Sequence, residues 1–441
     1  MQAIAILFAL AAQTIPFSLD RLELNLAVDY EHERIDGVAR LTVRNVSSQP
    51  AGTVPFLLGR LMTVKSAGAL KFEQTIATFN DEPKRQVDAV TIHLPKALAP
   101  GDTTTVAIDY GGYIVGYVET GNLYVKDTVS KDFSIIRNDA YAFPVLGVPS
   151  RAVNRRIRRD DFTFDARITV PTGFTVAAGA LVDTKDVDGK TTFHFGSSVP
   201  VPFVNFPIAK FGTLDEGGVR VYYLPEDEAG AKLVMQRTRE ALGRMTKWFG
   251  PLRLAPKVTI IEIPDMWGSQ AALIPGIILT ADSFRDPKYL VALYHELAHL
   301  WNPNALERPP ARLNEGQSMW MQWVLAEEVD RMPPDMMAKV VRRAIDRLKD
   351  ERLGTVPLAE FGAHDMTDYS YNVGMLYFLA LEKAIGRDAV LGVLGDFYQT
   401  SPDGATLKDF TSLIEKRYPQ AAAIDAEWIY STRWRESLAR P

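Results

Sequence analysis

The sequence predicts an α+β chain of two domains, an antiparallel β domain followed by a mainly helical one. Three observations predict it. Apolar residues alternate with period two between Phe17 and Leu214, helical spacing takes over after Pro225, and 441 residues exceed what one hydrophobic core usually serves.

The first residues, Met1 to Thr14, read MQAIAILFALAAQT, an apolar run in which Ala9-Leu10-Ala11 fits a small-x-small cleavage site. Residues 1–14 are therefore expected to be a signal peptide, placing the mature protein in the periplasm or outside the cell; without cleavage it would be cytoplasmic. The run is too short to span a bilayer, and no other apolar stretch of about eighteen residues follows. No integral membrane span is expected in the mature chain.

Strand signals come next. Leu22 to Val28 and Val38 to Val43 alternate cleanly, and further strand-like runs are Val90 to Leu94, Thr103 to Tyr110, Phe162 to Val170 and Thr191 to Phe195. Pro50, Pro100-Gly101, Pro171-Thr172-Gly173 and Asp188-Gly189 punctuate them, the pattern of short antiparallel strands joined by turns. Beyond Pro225, Lys232 to Phe249 carries apolar residues at helical spacing, and Val258 to Ile263 reads as a buried strand. Helices are then predicted over Pro287–Trp301, Glu315–Val329, Pro334–Leu348, Val373–Ile385 and Asp388–Tyr398. The boundary is expected near Glu216-Gly217-Gly218, giving a β domain over 15–216 and a second domain over 217–441.

Composition excludes several function classes. The net charge of −5 offers no basic surface for nucleic acid, and the five arginines between Arg151 and Arg159 read as a solvated loop. With no cysteine, disulfides, thiolate metal sites and cysteine nucleophiles are ruled out.

The chemistry is carried by His295-Glu296-Leu297-Ala298-His299. Pro287 suits a first helical turn and Asn302-Pro303 a helix end, so both histidines fall inside one helix. Residues at i and i+4 share a face, which brings two imidazoles to one point, as tetrahedral zinc requires. Glu296 is placed to lean over a water molecule at the metal without ligating it. Zinc needs a third protein ligand, and Glu315 opens an apolar-striped helix (Met319, Trp320, Trp323, Val324) sixteen residues after His299. Further on, Tyr369 and Tyr371 precede a helix, and a phenol from either could donate to an oxyanion.

At these residues the chain resembles the aminopeptidase N family of gluzincins, which also contains leukotriene hydrolase. His295 to His299 followed by Trp301 is similar to that family's HELAHQW, Leu313-Asn314-Glu315-Gly316 to its LNEG, and Tyr371-Asn372-Val373-Gly374 to its YEKG. Residues 20–215 resemble the family's β-saddle domain and 218–441 its thermolysin-like domain. The resemblance implies one zinc ion per chain held by His295, His299 and Glu315. It implies that Glu296 is general base and then proton donor, and that Tyr371 rather than Tyr369 stabilises the oxyanion. A zinc-dependent peptidase acting on a peptide or protein substrate is the expected function.

Three departures qualify it. The spacing from His299 to Glu315 is three residues shorter than in the family, and the family's large helical C-terminal domain has no counterpart here. The family's GAMEN strand, whose glutamate grips the substrate's amino terminus, aligns with Gly268 to Gly276 and puts Leu273 at that glutamate. Leucine cannot hold an ammonium group, so aminopeptidase specificity is not implied, unless another carboxylate such as Asp265 substitutes. The alternative expectation is a zinc-containing binding or scaffold module of the same fold with little or no catalysis.

Overall fold

The computed structural model describes residues 15–80, 82–114, 128–156, 161–254, 257–264, 269–272, 274–333, 335–348, 355–364, 366 and 369–438. The expected signal peptide, Asp265 and Leu273 lie outside them. Contacts divide the chain into two units. The first takes most residues up to Val204, and the second takes Asn205 onward together with the short stretches Asp132–Ser134 and Thr172–Asp183.

In the first unit the alternating runs form a seven-stranded sheet. Its order is Leu181–Val187, Lys190–Val201, Phe162–Pro171, Phe17–Asp29, Arg34–Asn45, Thr103–Gly112 and Met62–Ser66. The alternation is the burial pattern: Leu22, Leu24, Leu26 and Val28 are buried while Asn25 and Ala27 are exposed. One pairing departs from the expected antiparallel arrangement. Phe17–Asp29 runs parallel to Phe162–Pro171, with Leu24 opposite Ala166, so the sheet is mixed. Alternation reports which face is buried and carries no information on strand direction, and these two strands are far apart in sequence. A four-stranded sheet, ordered Lys71–Phe79, Glu82–Leu98, Ala51–Leu58 and Val145–Leu146, also belongs to this unit.

The second unit contains a five-stranded mixed sheet. Val219–Tyr223, Val258–Ile263 and Gly276–Thr280 run parallel, and Gly212–Glu216 and Gln270–Ala272 add antiparallel edges. Glu216-Gly217-Gly218, the expected boundary, here turns the hairpin between the first two of its strands, with Gly217 and Gly218 at φ of 58° and 80°. Two successive positive φ values are what a tight hairpin turn demands, and glycine meets them without steric cost.

Helices follow. Glu228–Phe249, Leu290–His299, Leu313–Asp330, Asp335–Arg347, Ser370–Ile385 and Arg387–Thr400 overlap the six predicted helical stretches, and Leu407–Arg417 and Ala421–Trp428 come after them. The core of the unit includes Trp301, Trp320, Met321, Tyr377, Phe378 and Trp434. Leu313–Asp330 is buried on nearly all sides, as befits a helix with neighbours all round. Among the described residues, no helix is long and apolar enough to cross a membrane.

Candidate metal centre

The helix Leu290–His299 buries Leu290, Leu293, Tyr294, Leu297 and Ala298 in the core, which fixes its rotation about its own axis. Asp286 caps the short turn before it, its side chain accepting the Lys288 N–H at 3.1 Å. Past its end, the Trp301 indole donates to the Gly250 carbonyl at 3.0 Å. Held this way, His295 and His299 face the first turn of the Glu315 helix.

The loop between the two helices is short but pinned. Leu306 N–H donates to the Ala405 carbonyl at 3.0 Å and Ala405 N–H to the Asn304 carbonyl at 2.8 Å. The loop ends at Arg312, whose backbone is left-handed (φ 58°, ψ 36°), and helix Leu313–Asp330 starts there. Glu315 therefore sits in the first turn, where the helix dipole favours a carboxylate.

Three atoms converge. His295 Nε2 and His299 Nε2 lie 3.2 Å apart, and Glu315 Oε2 is 3.4 Å from each. Ligand atoms of a four-coordinate zinc, bonded at 2.0–2.1 Å, stand about 3.3–3.4 Å from one another, so this triangle has the size of one face of a zinc tetrahedron. Glu315 Oε2 is buried and lacks a hydrogen-bond partner among the described residues, a cost that a cation at that point removes. The donor set of two imidazoles and one carboxylate suits zinc and leaves a fourth position open.

Neighbouring groups set the protonation states. Asn302 Oδ1 lies 2.9 Å from His299 Nδ1 and can only accept, so the His299 proton sits on Nδ1 and the Nε2 lone pair points into the triangle. Ser318 Oγ lies 3.2 Å from the same Nδ1. Burial works to lower the His299 pKa, but the Glu315 carboxylate outweighs it and the net shift is upward. Burial likewise opposes ionisation of Glu315, yet the two histidines and Arg312 hold its carboxyl well below the usual carboxylate range. Glu296 is buried beside the triangle. Burial pushes its carboxyl up, opposed by the two histidines and reinforced by Glu315. A bound cation would draw it down again.

Tyr371 lies on the helix Ser370–Ile385, its ring stacked on His295 with centroids 5.9 Å apart. Burial and the Glu315 charge raise its phenol, which keeps it a proton-bearing donor. Tyr369, the other tyrosine of the pair, packs against the hydrophobic core. All five residues singled out by sequence are thus brought together on three helices of one unit, with Leu273 and Asp265 outside the described residues.

Sequence reasoning missed four contributors. Asn302 read only as a helix end, Ser318 and Arg312 gave no motif of their own, and Gly316 and Gly374 were read only as parts of the LNEG-like and YEKG-like stretches, not as a contact. Arg312 Nη2 donates to Glu315 Oε1 and, at 3.3 Å, to the Tyr371 hydroxyl. A Cβ on Gly316 would come 2.4 Å from the Gly374 Cα, so the Glu315 and Tyr371 helices touch backbone to backbone. The glycine of LNEG and the glycine three residues after Tyr371 were the available signals.

No protein-family model and no curated protein matches the sequence. Solved structures do resemble the fold. A mutant of the M1 zinc metallopeptidase from Deinococcus radiodurans superposes with a TM-score of 0.66 at 18% identity, covering 94% of each chain. The mutant bound to a Tyr-Ser-Ala substrate gives 0.66 at 19% identity over 95% of each chain. A two-domain M1 zinc metallopeptidase mutant bound to L-arginine gives 0.63 at 18%, covering 93% of this chain and 92% of that one. The chain has the two-domain fold of the M1 zinc metallopeptidases.

Proposed function

We propose that this chain is a zinc-dependent hydrolase of peptide bonds in which His295, His299 and Glu315 ligate one zinc ion. The observation that carries the reading is the triangle of 3.2, 3.4 and 3.4 Å between two imidazole nitrogens and one buried carboxylate oxygen that lacks a hydrogen-bond partner among the described residues. Zinc bound there supplies Lewis acidity, lowering the pKa of water and polarising a peptide carbonyl. Glu296, adjacent to both histidines and already a strong base through burial, takes the proton from the attacking water and delivers it to the leaving amine. Tyr371 keeps its proton and donates a hydrogen bond to the carbonyl oxygen as negative charge builds on it. The edge strand Gln270–Ala272 supports a peptide substrate, because its outer backbone groups can pair with an extended chain. The apolar Met1 to Thr14 supports export to the periplasm or the medium.

A second reading, a zinc-holding binding module without turnover, is favoured by Leu273 standing where the resembled family grips an amino terminus. It is opposed by Glu296: a binding module has no use for a buried base beside the ligands. Digestion of a peptide library with free and with acetylated amino termini decides, using Glu296→Gln as control. Cleavage of free termini alone means an aminopeptidase, and cleavage of both means an endopeptidase. Zinc uptake with no cleavage overturns the hydrolase in favour of the binding module.

A further inference from the structure

Arg312 is the last residue before the Glu315 helix, and its backbone is left-handed, a conformation costly for any residue with a Cβ. Glycine would take that position without strain, and here an arginine takes it instead, its side chain set against the first turn of the helix. It touches two groups of the metal centre at once. Nη2 donates to Glu315 Oε1 and to the Tyr371 hydroxyl at 3.3 Å, and the guanidinium carbon lies 5.7 Å from the Tyr371 ring centroid.

Both contacts have one-way chemistry. A guanidinium is always charged and only donates. Its bond to Oε1 draws that oxygen toward the guanidinium, so Glu315 turns Oε2 to the two histidines. Its bond to Tyr371 fills a lone pair of the phenol oxygen, so the phenol's own hydrogen is turned to another acceptor. One side chain thereby sets both the ligand and the oxyanion donor.

Resting on the zinc-peptidase reading, we propose that Arg312 is a positioning residue that aims Oε2 of Glu315 at the metal and holds Tyr371 in its donating orientation.

The test uses the full chain and the zinc dissociation constant of the metal-free protein, measured by competition with a chromophoric chelator. Arg312→Gln is expected to weaken zinc by about 10–100-fold, as loss of a partner that orients a ligand does, and Arg312→Lys to recover part of it. Turnover of the Gln variant should fall in kcat with KM within about two-fold, and the fall should shrink in a Tyr371→Phe background, where nothing is left to orient. A zinc constant for Arg312→Gln within two-fold of the unmodified chain, with matching circular dichroism, overturns the proposal. Should the Gln variant fail to fold, the same zinc measurement on Arg312→Lys decides, an unchanged constant overturning it. If the unmodified chain takes up no zinc, the peptidase reading beneath falls; if it takes up zinc and the variants bind equally well, only the role of Arg312 falls.

Discussion

Gly316 and Gly374 face each other so closely that a Cβ on Gly316 would lie 2.4 Å from the Gly374 Cα, and one on Gly374 would lie 2.7 Å from the Gly316 Cα. Each glycine directly follows or closely follows a residue of the centre: Glu315 precedes the first, and Tyr371 is one helical turn before the second. Their contact sets the separation of ligand and phenol. Trp320, stacked on Phe378 at 5.8 Å and bonded to Glu382 at 2.8 Å, holds the same two helices together further along. Gly316→Ala should therefore force the helices apart, at a cost of about 1–3 kcal/mol from overpacking. Thermal denaturation reads the stability loss, and a larger proportional loss of turnover than of zinc content would place the damage at Tyr371.

Glu296 and Tyr371 should separate cleanly from the ligands. Glu296→Gln removes the base but no metal contact, so zinc content should stay at the level of the unmodified chain. Hydrolysis should fall by about 10²–10⁴-fold. Tyr371→Phe should lower kcat by about 10²–10³-fold with little change in KM, the mark of a bond made in the transition state. Full turnover by the Gln variant, measured on any cleaved peptide, would sink the mechanism.

How much of this was legible follows from the range of the interactions. His295 and His299 are four apart on one helix, and Glu315 opens the next, so local spacing was enough to single out the three candidate ligands that converge. Glu296, the candidate base, came with them as the neighbour of His295. Tyr371 could be separated from Tyr369 only by resemblance, because which of two neighbouring phenols faces His295 depends on how a distant helix packs. Arg312, Asn302 and Ser318 were invisible for the same reason: their contacts form across a loop or between helices, and no periodicity records them. In the fold, Val258–Ile263 was readable because a continuous apolar run between turn signals marks a buried strand. Val219–Tyr223 was not. It is five residues long and follows the glycine pair that resembled a linker. The parallel pairing of Phe17–Asp29 with Phe162–Pro171 escaped because alternation is blind to direction.

Glu262 gives the chain a pH-dependent stability unrelated to the metal. It is fully buried on Val258–Ile263, where Oε2 accepts the Leu224 N–H at 2.7 Å and Oε1 lacks a partner among the described residues. Burial, reinforced by the Asp227 carboxyl, pushes its pKa up to about 9, while Asp227 itself is paired with Arg285 at 2.8 Å. The ordinary value is 4.5, so between 4.5 and about 9 the folded chain holds a proton that the unfolded chain has lost. Unfolding then releases a proton, and stability from this site falls as pH rises, fully present below the lower value and lost on passing the upper. The slope approaches about 1.4 kcal/mol per pH unit. Glu262→Gln should abolish it. Urea denaturation at pH 5 and pH 8 should show the unmodified chain losing stability relative to the variant at the higher pH, and parallel behaviour would refute the buried proton.

Metal removal should cost stability as well as activity. Without a cation, the Glu315 Oε2 atom and two converging imidazole nitrogens remain buried together with nothing between them. A ligand that binds only the folded state stabilises it by about 2.7 kcal/mol when present at one hundred times its dissociation constant. Chelation should therefore lower the melting temperature, and added zinc should restore it in a concentration-dependent way. Because an imidazole must be neutral to ligate and the Glu315 carboxylate raises the His299 pKa above its ordinary value of 6.5, the zinc-dependent shift should already shrink as pH falls toward that value. Glu315→Ala separates this from zinc adsorbed elsewhere, since it removes one of three donors and leaves the surface unaltered. The variant should bind zinc substoichiometrically and melt at the same temperature with or without it; a zinc-dependent shift as large as that of the unmodified chain would remove Glu315 from the ligand set.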